Sequence, residues 1–169
     1  MREIYILIAE SVFSLSAAID QVTSALNNMK ETGNVDQSIT TNLDTLAQVF
    51  KEAQQNWLTS RNSKVSIFFY YAARNAALIV SRMKERLLSA NQVDGNAKIA
   101  DESLQVVGLI RELFDLTRNE KPDDATTKLI IERVKTLRKV ATDIKLLQVQ
   151  EKELEDVDKL FNYLSKLRR

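Results

Sequence analysis

The chain has 169 residues, 44% hydrophobic and 28% charged, with 24 basic against 23 acidic side chains and a formal charge of +1. That balance excludes a polybasic coat or an acidic tail, and the absence of His and Cys removes imidazole catalysis, thiol nucleophiles, disulfides and ordinary zinc, haem or iron–sulfur sites. Three Gly and one Pro are too few for an all-β or loop-rich α/β fold, which leaves helices.

The first segment, residues 2–30, sets Tyr5, Ile8, Val12, Leu15, Ile19, Val22, Leu26 and Met29 at alternating steps of three and four. Such spacing places all eight on one stripe of an α-helix. The turn-rich run Glu31-Thr32-Gly33-Asn34 closes it. The second segment, about 37–59, repeats the cadence with Ile39, Leu43, Leu46, Phe50, Ala53 and Trp57, and Asp36 is available as its N-cap.

After a weaker break at residues 59–63, the third segment carries Ile67-Phe68-Phe69-Tyr70-Tyr71-Ala72-Ala73, apolar or aromatic all round. A helix of that kind must be covered on more than one face, so it is expected to be the central helix or the one that docks a partner. The fourth, about 97–118, turns Leu104, Val107, Ile110, Leu113 and Phe114 inward, with Gly108 suited to a close helix crossing. Pro122 fits the first turn of a fifth helix, with Asp123 and Asp124 at its positive end.

That fifth helix runs through Ile130, Val134, Leu137, Ala141 and Ile144, and its register then falls on polar Gln148 and Glu151. A second stripe, Leu147, Leu154, Val157, Phe161 and Leu164, takes over. Either one long helix changes its buried face, or it breaks near 148–151 and a short sixth helix follows. Lys166, Arg168 and Arg169 suit the negative end of the last helix. The expected fold is all-α: a single domain over residues 1–169, built as a bundle of five or six mostly antiparallel helices joined by short connections.

Charge is unevenly distributed. Residues 61–90 hold six basic and one acidic side chain, and 125–145 hold six and two; residues 1–60 hold three and seven, and 91–124 hold four and eight. Helices three and five are therefore positive against acidic neighbours. On helix three, Lys64, Tyr71, Asn75, Arg82 and Arg86 fall within an arc of about 60° at 100° per residue. On helix five, Lys128, Lys135, Arg138 and Lys139 lie opposite the apolar stripe. Cations interleaved with aromatic faces are what phosphates and unstacked bases require. Pairing of these cations with the acidic helices beside them is the plainer reading of the same residues.

Carboxylates are the remaining candidates for chemistry. Glu112 and Asp115 sit three apart but lie between Arg111 and Arg118. Glu151, Glu155 and Asp158 share a face but alternate with Lys152 and Lys159, the pattern of a solvated helix laced with pairs four apart. Ser81-Arg82-Met83-Lys84 matches the serine–lysine nucleophile spacing without its companion elements, and no Gly-rich phosphate loop occurs. No enzyme activity, metal or cofactor is expected.

Two functions follow. The first is a non-catalytic interaction or structural subunit of a larger assembly, partnered by another protein or by its own copies through Phe68, Phe69, Tyr70, Tyr71, Leu154, Phe161 and Leu164. The alternative is a nucleic-acid-binding subunit of a nucleoprotein complex, touching phosphates through Lys64, Arg82, Arg86, Lys128, Lys135, Arg138 and Lys139. The apolar run Ile4 to Ala9 is too short for a secretory core, and the stretch Val65 to Val80 carries Arg74 and Asn75 near its middle. A cytoplasmic protein that does not enter the membrane is expected.

Overall fold

A computed structural model describes the backbone of residues 2–34, 37–60, 64–89, 96–117 and 123–167, and their side chains except at 2–15, 37–38, 53–60, 64–67, 69 and 164–167. The fold is an all-helical bundle: α1 (Arg2–Thr32), α2 (Gln37–Ser60), α3 (Lys64–Leu88), α4 (Asn96–Leu116), α5 (Asp124–Asp143) and α6 (Lys152–Leu167). No strand occurs among the described residues. None of their helices is long and apolar enough to cross a membrane.

The stripes read from the sequence are the buried faces. Ile19, Val22, Leu26 and Met29 of α1 meet Ile39, Leu43, Leu46 and Phe50 of α2 in a core that continues through Val107, Ile110, Leu113 and Phe114 of α4. Phe50 stacks on Phe114 with ring centroids 5.2 Å apart. Tyr5, Ile8, Val12 and Leu15, together with Ala53 and Trp57, have side chains outside the described residues, as does the proposed cap Asp36.

Gly33 adopts a positive φ of 72° just past α1, and its amide returns to the carbonyl of Met29. A residue with a Cβ is strained there, so glycine ends the helix and turns the chain into α2. Asn96, the first residue of α4, donates from its side-chain Nδ2 to the carbonyl of Gly33 and ties that corner down. Ion pairs Lys30–Asp101 and Asp20–Arg111 then run along α1 and α4 in opposite directions, so the two helices are antiparallel.

The central helix is α3, which packs against α2, α4, α5 and α6. Its buried residues, Phe68, Tyr71, Ala72, Ala73, Asn75, Ala76, Ile79, Val80, Met83 and Leu87, span more than one face, as an all-round apolar helix requires.

One local expectation is corrected and two are refined. Gly108 makes no close crossing: it is exposed, and a Cβ there would meet nothing within 4 Å. The start of α5 is organised by Asp123, whose carboxylate accepts from the Thr126 amide at 2.7 Å; Pro122 lies outside the described residues. The long C-terminal segment breaks earlier than its apolar register indicates. The amide of Lys145 bonds the carbonyl of Thr142, and that of Leu146 bonds Ala141. This paired closure puts Lys145 in the left-handed region, φ 65°, a position usually held by glycine. Leu146 and Leu147 are buried and anchor the connection to α6.

Candidate functional site

The residues singled out for binding converge on the junction of α3, α5 and α6. Phe161 of α6 stacks on Tyr71 at 4.1 Å between ring centroids and meets Phe68 edge-on at 5.6 Å. The buried stripe Leu154, Val157 and Phe161 therefore covers the surplus apolar face of α3 within the same chain. Phe68, Tyr71, Leu154 and Phe161, expected to meet a partner, are instead buried within the chain, Phe161 against both Phe68 and Tyr71. Tyr70 is half-buried, and the side chains of Phe69 and Leu164 lie outside the described residues.

Asp158 sits one residue after Val157 and so lies at the edge of that stripe. Arg138 of α5 grips it with two bonds, Nη1 to Oδ2 at 2.7 Å and Nη2 to Oδ1 at 2.8 Å. The Tyr71 hydroxyl donates to the same Oδ1 at 2.8 Å. Arg138 also donates from Nε to Oδ1 of Asn75 and lies 5.7 Å from the centre of the Tyr71 ring. Asn75 is fully buried and donates to the Tyr71 carbonyl, so it is a satisfied core amide. Burial pushes the Tyr71 hydroxyl far above its ordinary value. Burial also pushes Asp158 up, but hydrogen bonds from Arg138 and Tyr71 and the charges of Arg138 and Lys135 outweigh it, leaving the carboxyl below its usual range.

Three cations of α3 are likewise met by acids outside that helix. Arg82 reaches Glu151 at 3.3 Å, Arg86 reaches Glu102 at 3.6 Å, and Lys84 pairs with Asp44 of α2. Glu151 additionally accepts from the Gln148 amide. Glu151 and Asp158 thus pair outward to α3 and α5, correcting the expectation of a solvated α6 face laced to its own lysines.

Of the seven residues expected on phosphates, Arg82, Arg86 and Arg138 are engaged with carboxylates of this chain, and the Lys64 side chain lies outside the described residues. Lys128, Lys135 and Lys139 remain exposed on α5 and make no ion pair among the described residues. Glu112 pairs with Arg133 at 3.6 Å, and no group of three potential metal ligands occurs among the described residues.

The pairing of the junction's central acid, Asp158, with Arg138 and Tyr71 is not among the sequence expectations. The available signal was its place beside the Leu154/Val157/Phe161 stripe, where a carboxylate is drawn into the packing. No known protein family, curated protein or solved structure matches this chain.

Proposed function

We propose that the protein is a non-catalytic interaction subunit of a larger assembly, docking through the outer flank of α6. The observation that carries this reading is a second apolar pair on that helix. Leu160 and Tyr163, three residues apart and hence neighbours, are 38% and 62% exposed while Leu154, Val157 and Phe161 fill the inner face. Val149, in the connection just before α6, is 89% exposed. Large apolar side chains gathered along one helix favour contact with another macromolecule over water. Several of the charged groups that chemistry would need are meanwhile engaged in pairs between segments of this chain.

The test is the size of the tagged chain at its native level in an extract of its source cell. Elution well above the 19.3 kDa monomer is expected, with Leu160→Asp/Tyr163→Asp returning it to monomer size. Monomer elution of the unaltered chain overturns the reading. Nucleic-acid binding stands as a second reading, supported by the three exposed lysines of α5 alone.

A further inference from the structure

Pairing within the chain leaves two charged faces over, and they are opposite in sign. On α5, Lys128, Lys135 and Lys139 lie within an arc of about 40° on the side turned away from the core, with Glu132 between them. On α6, Glu153 and Asp156 precede Leu160 and Tyr163 along a stripe about 80° wide, and Lys152 and Lys159 fall to one side of it. All of these side chains are exposed, and neither the three lysines nor the two acids of the stripe make an ion pair among the described residues. Apolar surface accompanies both faces: Leu129, 41% exposed, stands at the edge of the lysines, and Leu160 and Tyr163 follow the acids.

The two faces belong to adjoining helices. Arg138 of α5 holds Asp158 of α6, and the charge of Lys135 acts on the same carboxylate. Both helices pack on α3 through their buried stripes, so both charged faces look away from it.

We propose that the partner docking on α6 is a second copy of this chain, with the lysine face of α5 in one copy laid against the acidic stripe of α6 in the other. The same contact is made in reverse across a two-fold axis. This inference rests on the assembly reading above and names its partner. A surface that carries a patch together with its complement is what a two-fold interface requires, because every contact is then made twice. The opposed charges set the orientation of the copies, while Leu129, Leu160 and Tyr163 are drawn out of water between them.

Light scattering on the purified full chain at about 100 μM tests it, since even a micromolar complex is formed there. A mass of twice 19.3 kDa is expected, falling toward that of the monomer as salt is raised. Lys128→Glu/Lys139→Glu and Glu153→Lys/Asp156→Lys should each weaken the dimer more than about ten-fold, because like charges then oppose one another in both contacts. Lys135 is kept, so that its action on Asp158 is undisturbed. The four reversals combined in one chain restore opposite signs at unchanged net charge, and this variant should dimerise as the unaltered chain does. A purified chain that stays monomeric overturns the proposal; elution above monomer size in the cell extract would then keep the assembly reading with a different partner. Undiminished dimerisation in either double reversal, or no recovery in the combined variant, overturns it as well.

Discussion

Arg138 joins three groups from two other helices: the carboxylate of Asp158, the side-chain oxygen of Asn75 and the ring of Tyr71. Methionine at this position keeps the aliphatic length and leaves a fully buried amide oxygen without its donor. Arg138→Met should therefore cost about 1–3 kcal/mol in urea unfolding, the penalty of one orphaned buried acceptor. Lysine should recover little, since a point charge cannot grip a carboxylate with two parallel bonds. The pH dependence follows from the depressed native value of Asp158. Its contribution to stability is complete above the ordinary carboxylate value near 4 and drains away as pH falls through the native value. The melting temperature should thus drop on acidification below about pH 5, and less steeply in Asp158→Asn. Some acid sensitivity should persist in that variant, because Asp123 is also held low by the Thr126 amide and hydroxyl. None of these partnerships is written in local sequence: Tyr71 and Asp158 are 87 positions apart.

Helices announce themselves in this chain wherever apolar residues recur at three and four, and that cadence located the buried stripes of α1, α2, α4 and α5. The end of α5 was harder to read for a stereochemical reason. Its closing turn requires a left-handed residue, and the signal for such a turn is glycine or asparagine; here the residue is Lys145. Gly108 is the converse, a glycine inside α4 that no neighbour requires. The two positions give opposed substitutions with the same sign of effect. Gly108→Ala should stabilise by about 1 kcal/mol, because alanine restricts the unfolded chain and suits a helix interior. Lys145→Gly should stabilise by up to about 1 kcal/mol, because a left-handed backbone costs a residue with a Cβ more than the added freedom of glycine takes back. Urea titrations of both single variants and the pair should give additive shifts, since the sites lie on different elements.

Among the described residues of the whole molecule, basic and acidic helices pair as neighbours, α2 with α3, α3 with α4 and α4 with α5, and further ion pairs join α1 to α4 and α5 to α6. Exposed pairs of this kind contribute little stability each, but opposite charges must align for the helices to sit in register. The block pattern of charge was legible from sequence; whether each cation faced outward was not, because charge periodicity gives a helix face without naming what packs on it. The same limit hid the cover over Phe68 and Tyr71, which turned out to be the chain's own last helix. Contact through the three exposed lysines of α5 should give, in fluorescence anisotropy with a labelled single strand, a log–log salt slope of about −2, and Lys135→Gln should flatten it. The connection into α6 has a further consequence. Its buried leucines and the clamp from Arg82 to Glu151 hold both ends, while Val149 projects between them. A chain severed there would remain one particle, its last helix retained by stacking and charge, and the bundle would lend itself to reconstitution from two separately made pieces.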